Sequence, residues 1–175
     1  LLEADELSYH EYIRLQHVFR AEATGNASAL IRHIRMIKTP WEIEQMRISA
    51  RKHEAVYREI PACYRPGMRD IELQIEIEKR MRVHGSLGYF RAFGSNMDIF
   101  MGSLLAGENA GEPSPFDFAL GGTGMHASGP LGANGTLLRE GTTVMADMSG
   151  NYTAYQTDMT RVFSIGKLPD RAYRV

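Results

Sequence analysis

The feature that most constrains the fold of this chain is a change of residue pattern near Gly85. Before this glycine, apolar residues recur at helical spacing among charged residues. After it, short apolar runs alternate with glycine, serine and proline. The first pattern is typical of helices and the second of strands joined by loops. The sequence therefore predicts an α+β fold in which the helices precede the strands.

Three helices are predicted in the first half. A loosely periodic stretch over 7–20 gives way to turn-forming residues at 24–28. A second helix begins sharply, because Thr39, Pro40 and Glu42 form a capping box with proline at the first helical position. We expect it to end before Pro61, since proline lacks the backbone donor. A third helix is predicted over 70–84, with Gly85 in the left-handed conformation just after it.

Two strands are the clearest features of the second half. β-Branched and aromatic residues are concentrated over 142–148 and 158–165, and the turn-forming residues 149–151 separate them. This pattern predicts an antiparallel pair with its turn at 149–151.

Composition excludes several classes of partner. The 175 residues are 43% hydrophobic and carry a formal net charge of −1, which gives no long-range field to attract nucleic acid or an anionic membrane. No apolar run approaches the roughly 18 to 20 residues that span a bilayer. Cys63 is the single cysteine and the first residues do not resemble a signal peptide, so we expect a cytoplasmic location. The chain begins without methionine, in a helical pattern, and we expect that its true start is missing.

The glycine-dense segment 121–135 does not match a nucleotide-binding loop. It lacks the Gly-Lys-Ser/Thr ending and does not join a strand to a helix, so its glycines are better explained by tight backbone turns. His126 lies in this segment, where loop residues often carry function. A lone histidine is weak evidence, however, and a structural role stays open. The other five histidines, in the helical half, are expected on solvated faces: His10, His17, His33, His53 and His84.

The strongest chemical signal is a pair of aspartates within the two predicted strands. Asp147 and Asp158 occupy positions where aspartate is disfavoured and costly to bury. If the two residues face each other, their carboxylates lie within about 5 Å, and a cation would relieve the repulsion. The alternative is that Asp158 pairs with Arg161 or ends a strand, and the local pattern does not decide between these.

Two residues with hydroxyl side chains could support a cation site at the two aspartates. Ser149 and Thr160 each follow an aspartate by two positions, so both would point to the same face and could hydrogen-bond the metal ligands. Oxygen-rich surroundings favour Mn²⁺ or Mg²⁺, and an added histidine favours Fe²⁺, Co²⁺ or Zn²⁺.

Four segments together resemble the pita-bread metallopeptidases, the family of methionine aminopeptidase, aminopeptidase P, prolidase and creatinase. The most specific is 141–166, which contains both aspartates eleven positions apart. The resemblance extends from about Arg35 to the end of the chain and is closest to the Xaa-Pro peptidase branch. The other three segments are 35–43, 65–68 and 121–130.

The resemblance implies a fold and a division of the chain. Residues 35–175 would form the first half of the pita-bread catalytic domain, with two long helices packed on a curved, mainly antiparallel sheet. Residues 1–34 would be the tail of a preceding domain and its linker. The exposed edge and apolar face of a half-domain imply a homodimer or association with the missing half.

The resemblance also implies a site. Asp147 and Asp158 would bind two divalent ions (Mn, Co, Zn or Fe), the first as a bidentate ligand of one ion and the second as a bridge between them. His126 would bind substrate and stabilise the tetrahedral intermediate. The remaining family ligands, one histidine and two glutamates, would lie beyond Val175, so this fragment alone is expected to bind metal weakly or not at all and to be inactive.

The function implied by the resemblance is hydrolysis of short peptides with proline in the second position. Two alternatives remain. One is a creatinase-like hydrolase that works without metal, although both aspartates are retained here. The other is a pita-bread module that binds protein or RNA, and the balanced charge argues mildly against RNA.

Overall fold

The computed structural model describes residues 1–20, 22–93, 97–99, 101–113 and 121–174, and the side chains of all of these except 92, 93 and 97–99. The expected α+β class is confirmed, since helices fill the first half and antiparallel strands the second. The helices are α1 (Tyr9–Val18), α2 (Ser28–Met36), α3 (Pro40–Cys63) and α4 (Asp70–Val83); the strands are β1 (Phe90–Phe93), β2 (Met97–Ile99), β3 (Gly102–Ala106), β4 (Thr143–Asn151) and β5 (Gln156–Ser164).

The start of α3 follows the prediction and its end does not. The Thr39 amide donates to Glu42 Oε2 at 2.7 Å, and the Glu42 amide donates to Thr39 Oγ1 at 3.3 Å, which is the expected capping box. The helix continues through Pro61 to Cys63, so the predicted stop was wrong. Proline so near the end removes a single backbone bond, and burial of Ile60 and Cys63 offsets that loss.

The predicted helix over 70–84 is α4, and its C-terminal end has the expected glycine. Gly85 has a φ of +97°, and its amide donates to the Arg82 carbonyl at 2.9 Å. The next amide, of Ser86, donates to the Met81 carbonyl at 2.9 Å, which completes a Schellman motif. This tight ending turns the chain from the helical layer toward the sheet.

The N-terminal region contains one helix more than predicted. The stretch predicted over 7–20 is α1, with Ser8 Oγ accepting the Glu11 amide at 3.2 Å. The turn formers at 24–28 lead into α2, which the prediction missed. This helix is nine residues long and has no side-chain cap, so it lacks the start signal that marks α3.

The strands form two antiparallel sheets. β1 pairs with β2, and a three-stranded sheet has the order β3-β4-β5. The β4–β5 hairpin is longer than predicted, because residues 149–151 continue β4 and the turn lies at 152–155. The predicted turn was therefore wrong: side chains such as Ser149 and Asn151 are buried in the strand, and this burial overrides their turn preference.

The core lies between the helices α3 and α4 and one face of the three-stranded sheet. Alternate residues of β4 point into it, which is why Val144, Ala146 and Met148 are buried. The helices contribute Val56, Ile60, Ile77 and Met81. The opposite face of the sheet carries the odd-numbered residues of β4, including Asp147.

Candidate metal site

Four polar side chains share the sheet face that points away from α3 and α4. In the β4–β5 register, Asp147 pairs with Thr160 and Ser149 pairs with Asp158. Cross-strand partners project to the same side, and so do residues two apart on one strand. The hairpin therefore brings Asp147, Asp158, Ser149 and Thr160 to one face, as the sequence predicted.

The two aspartates do not face each other directly, so the condition for a separation of about 5 Å is not met. They are diagonal neighbours, because each aspartate faces the hydroxyl residue that follows the other. Diagonal residues have Cα atoms roughly 7 to 8 Å apart, instead of the ~5 Å of facing residues. This spacing leaves room for cations between the carboxylates while keeping both on the same surface.

Each aspartate is hydrogen-bonded by the hydroxyl opposite it. The Thr160 hydroxyl donates to Asp147 Oδ1, and Ser149 Oγ donates to Asp158 Oδ1 at 3.4 Å. These bonds restrict carboxylate rotation and leave other oxygen lone pairs for a cation. The alternative role for Asp158, pairing with Arg161, is not found among the described residues: the Arg161 Nη1 donates to the Thr160 carbonyl at 2.7 Å.

The electrostatics of Asp147 fit a cation site. Burial raises the pKa of Asp147 above its usual value, the Thr160 hydrogen bond partly opposes this, and the negative charge of Asp158 raises it further. Both raising effects disfavour the ionised form in the metal-free protein. A divalent ion would reverse them by neutralising both carboxylates.

The glycine-dense segment 121–135 packs over the β3 side of this face. A Cβ at Gly122 would collide with Leu105 of β3 and with the Gly132 carbonyl, and Gly122 has a φ of +92°. Gly132 lies against Ser103, the cross-strand partner of Asp147. The prediction of tight backbone turns is thus confirmed, and these turns let the segment lie close to the sheet beside Asp147.

His126 lies in this segment and is exposed. Its Nδ1 accepts the Ser128 amide at 3.2 Å and is 2.8 Å from Ser128 Oγ. A nitrogen that accepts an amide proton is unprotonated, so a neutral ring carries its proton on Nε2. Among the described residues no hydrogen bond joins His126 to either aspartate, and its predicted role stays a prediction.

Two buried polar residues hold the segment in place, and the sequence analysis missed both. Asp70, at the start of α4, accepts the amides of Asn134 at 3.0 Å and Gly135 at 2.9 Å. Asn109 donates to the Gly132 carbonyl at 2.9 Å and accepts the Thr123 amide at 2.9 Å. The sequence analysis placed Asp70 at the start of a helix, where acidic residues are common. Its position therefore did not indicate a contact with a distant segment.

The opposite side of the hairpin is held by α3. The Tyr57 hydroxyl accepts the Met148 amide at 3.1 Å and contacts the carbonyls of Ala146, at 3.1 Å, and Met159. These three residues are next to Asp147 and Asp158 in sequence. Tyr57 thus links β4 to β5 at the level of the candidate metal site.

His53 corrects the expectation that the helical histidines are solvated. It is fully buried, its Nδ1 is 3.0 Å from Thr157 Oγ1, and its Nε2 has no hydrogen-bond partner among the described residues. Burial lowers the pKa of His53 to about 4. Its burial could have been predicted, because α3 residues at helical spacing form one buried stripe: Ser49, His53, Val56, Ile60 and Cys63.

The carboxylate pair is suited to divalent ions but does not complete a site. Within the described residues no group of three or more histidine, cysteine, aspartate or glutamate side chains could hold a metal. Two aspartates offer at most four oxygens, whereas a pair of ions needs four to six donors each. The donor chemistry therefore fits part of a metal centre.

The fold and the site define a class of protein: an α+β domain with two hydrogen-bonded strand aspartates on an open sheet face. The model of metallopeptidase family M24 matches residues 44–175, and the chain belongs to this family. Its members are typically dependent on divalent metal.

Curated relatives agree with this assignment. The chain is 26% identical over 146 residues to a probable dipeptidase PepE of Mycobacterium tuberculosis, covering 82% of this chain and 32% of the relative. It is 24% identical over 170 residues to an uncharacterized peptidase YqhT of Bacillus subtilis, covering 97% of this chain and 41% of the relative. The chain thus spans less than half the length of either relative.

Solved structures confirm the pita-bread fold, of which this chain covers only part. The X-Pro aminopeptidase of Thermotoga maritima superposes with a TM-score of 0.77 at 24% identity, over 99% of this chain and 42% of that one. The prolidase of Pyrococcus furiosus superposes with a TM-score of 0.65 at 19% identity, over 94% of this chain and 41% of that one. No described helix is long and apolar enough to cross a membrane.

Proposed function

We propose that this chain belongs to a metal-dependent peptidase that hydrolyses Xaa-Pro bonds in short peptides, of the aminopeptidase P or prolidase type. The observation that carries the proposal is the placement of Asp147 and Asp158 on one open sheet face, each bonded by the hydroxyl opposite it. Membership of family M24 and the activities named for the similar proteins support it.

In this proposal, Asp147 and Asp158 hold two divalent ions, Mn, Co, Zn or Fe, and Thr160 and Ser149 orient the two carboxylates. Such ions, when bound, acidify water and polarise a carbonyl group. Other residues of the full-length protein supply the remaining ligands. By itself the chain 1–175 would hold metal weakly, if at all, and would be inactive.

His126 is proposed to bind substrate. His126 is exposed in the segment that covers the β3 side of the site, and Ser128 contacts the ring through Nδ1. A hydrogen bond from Nε2–H to the carbonyl under attack would stabilise the negative charge that develops there. A bound peptide would have to bring that carbonyl to the histidine.

The remaining parts of the proposal concern the whole protein. Residues 1–34 would belong to a preceding domain and 35–175 to the first half of the catalytic domain. We also propose a cytoplasmic homodimer that binds neither nucleic acid nor membrane. The 65% exposure of Val162, on a strand with one unpaired edge among the described residues, supports association. Light scattering that finds a monomer at high concentration would contradict the dimer.

The experiment that tests the proposed activity is hydrolysis of Ala-Pro by the full-length protein, before and after treatment with a chelator. We expect hydrolysis that the chelator abolishes and that added Mn²⁺ or Co²⁺ restores. Activity unchanged by the chelator would favour the metal-free hydrolase, and absence of hydrolysis with every metal would favour the binding module.

A further inference from the structure

Polar side chains one turn apart on α3 contact alternate residues along β5 and the turn before it. The contacts are Ser49 Oγ to the Tyr155 carbonyl at 2.8 Å, His53 Nδ1 to Thr157 Oγ1 at 3.0 Å, and the Tyr57 hydroxyl to the Met159 carbonyl. Four residues of a helix rise about 6 Å and two residues of a strand about 6.6 Å, so these contacts stay in step along both elements. The helix α3 therefore fixes the position of β5 along the direction of the strand.

The contact made by His53 lies directly behind the Ser149–Asp158 pair. Thr157 precedes Asp158 in sequence and points to the opposite face of β5, toward α3. The cross-strand partner of Thr157 is Gly150, which follows Ser149, the residue that donates to Asp158. The residues that His53 reaches are thus the sequence neighbours of both members of that pair.

The hydrogen bonds at Thr157 form a series that runs from α3 across both strands. The Thr157 hydroxyl donates to the Gly150 carbonyl at 3.4 Å, since a carbonyl can only accept. This hydroxyl has no second proton, so His53 donates to its oxygen from Nδ1. The series therefore joins His53 to β5 and then to the backbone of β4, and it requires a histidine ring that carries its proton on Nδ1.

Packing around His53 and Thr157 restricts both side chains. His53 is fully buried, and its ring contacts the rings of Tyr57 and Tyr152. At Gly150, an added Cβ would lie 2.6 Å from Thr157 Oγ1 and 2.4 Å from Tyr152 Cε2. The glycine thus lets the hydroxyl and the tyrosine ring lie close to the backbone of β4, and the histidine meets the hydroxyl in a filled space.

We propose that His53 is a positioning residue for the metal ligand Asp158 and acts through the Thr157 hydroxyl. The inference rests on the proposed function, since it takes Asp158 to be a metal ligand. By holding Thr157 against Gly150, His53 restricts the backbone that carries Asp158 and Ser149. A ligand that is already held in place binds an ion more tightly, because less conformational freedom is lost on binding.

The test compares two substitutions of His53 in the full-length protein. His53→Asn retains a side-chain NH group that can donate to Thr157, whereas His53→Leu cannot donate. The matched control is Ile77→Ala, because Ile77 of α4 is fully buried in the same core and has no polar side-chain atom. The readouts are the Kd for Mn²⁺, the ¹⁵N NMR shifts of the His53 ring, and the ¹³C shift of the Asp158 carboxyl group in the metal-free protein.

We expect the wild-type ¹⁵N shifts to be those of a ring protonated on Nδ1. His53→Leu should raise the Kd for Mn²⁺ roughly fivefold, about the net effect of one hydrogen bond, and should shift the Asp158 carboxyl signal. His53→Asn should retain the wild-type Kd and carboxyl shift. Ile77→Ala should lower the Tm and leave the Kd and the carboxyl shift unchanged.

A ring protonated on Nε2, or the same Kd in His53→Leu and the wild type, would overturn the positioning role, while Mn²⁺ binding itself would still support the metallopeptidase. Equal weakening by His53→Leu and Ile77→Ala would also overturn it, because a general loss of stability would then be the cause. If the wild type binds no Mn²⁺ but the Asp158 signal shifts in His53→Leu alone, the positioning of Asp158 by His53 is supported and the proposed function is contradicted.

Discussion

At the scale of single residues, Asp147 is expected to destabilise the protein when no metal is bound. Its folded-state pKa lies above the unfolded value of 3.8, through burial and the charge of Asp158, so the folded state binds a proton more tightly. The free energy of unfolding of the metal-free protein should therefore decrease as the pH rises through the folded-state pKa of Asp147. We predict that Asp147→Asn raises the Tm of the metal-free protein at pH 7 by about 2 °C.

The pH dependence distinguishes this effect from a general change in packing. At pH 3 the carboxyl is protonated in both states, and the gain from Asp147→Asn should vanish. Asp170→Asn is the control, since Asp170 is exposed and lies 3.6 Å from Lys167. A gain that is equal at both pH values, measured by thermal unfolding with chelator, would contradict the electrostatic explanation.

His53 should make the fold sensitive to acid. Because burial lowers its pKa from 6.5 to about 4, the unfolded chain binds a proton that the folded chain excludes. The contribution of His53 to the free energy of unfolding is fully present above pH 6.5 and is lost as the pH falls toward 4. The loss is about 3 kcal/mol, at roughly 1.4 kcal/mol per pKa unit.

The test of this prediction is urea unfolding across that pH range. His53→Asn can keep the bond to Thr157 and removes the titrating ring, so its unfolding free energy should change less between pH 6.5 and 4. The exposed His17 provides the control variant, His17→Asn. If His53→Asn and the wild type lose the same free energy over this range, another group is responsible for the acid sensitivity.

At the scale of elements, Tyr57 is predicted to hold the β4–β5 hairpin in register. Tyr57→Phe would leave the buried Met148 amide without its acceptor, at a cost of about 1 to 3 kcal/mol. The matched control is Tyr152→Phe, because the Tyr152 hydroxyl is buried without a hydrogen-bond partner among the described residues. Both tyrosines pack on His53, with ring centroids 5.1 and 5.8 Å away.

Amide hydrogen exchange separates these two variants. In Tyr57→Phe, exchange at Met148 should become faster, whereas Tyr152→Phe should leave it unchanged and be neutral or slightly stabilising. Equal destabilisation by both substitutions would show that the ring contacts, and not the Tyr57 hydroxyl, support the hairpin.

Asp70 is predicted to fix the glycine-dense segment against the sheet. Its carboxylate accepts the amides of Asn134 and Gly135, and an Asp70→Asn side chain would lose at least one of these bonds, at a cost of about 1.5 to 3 kcal/mol. Glu72→Gln is the control, since glutamine keeps an acceptor for the Arg69 amide. Exchange at Asn134 or Gly135 should become faster in Asp70→Asn only, and unchanged exchange at both amides would contradict this anchoring role.

The elements also show what the sequence could and could not predict. Local signals were sufficient to predict two helix ends: the capping box begins α3, and Gly85 follows the end of α4. The predicted stop at Pro61 and the predicted turn at 149–151 failed, because buried contacts outweighed local preference there. The shared face of the two aspartates followed from strand alternation. Their diagonal offset depends on where the hairpin turns, and a wrong turn position changes the register.

The partners of the site were harder to predict than its acidic residues. Asp70, Asn109 and Tyr57 act through contacts with residues far away in sequence, and their local patterns are those of ordinary helix or loop residues. Such roles depend on tertiary packing, which a single sequence does not specify. His53 is the exception, because its helical spacing with Val56 and Ile60 indicated burial.

At the scale of the whole molecule, the chain spans less than half the length of its relatives, and only part of a metal centre lies within the described residues. The assignment of a metal centre therefore depends on whether Asp147 and Asp158 bind one shared metal cluster. The most direct measurement is titration of the chain 1–175 with Mn²⁺, followed by electron paramagnetic resonance. Asp147→Asn and Asp158→Asn are the variants, and Asp170→Asn is the control.

We predict weak binding, in the millimolar range that two carboxylates without further ligands support, which either site substitution reduces at least tenfold and Asp170→Asn leaves unchanged. Tight stoichiometric binding by the chain, or binding that survives both Asp147→Asn and Asp158→Asn, would contradict the assignment of these two aspartates as half of a metal centre.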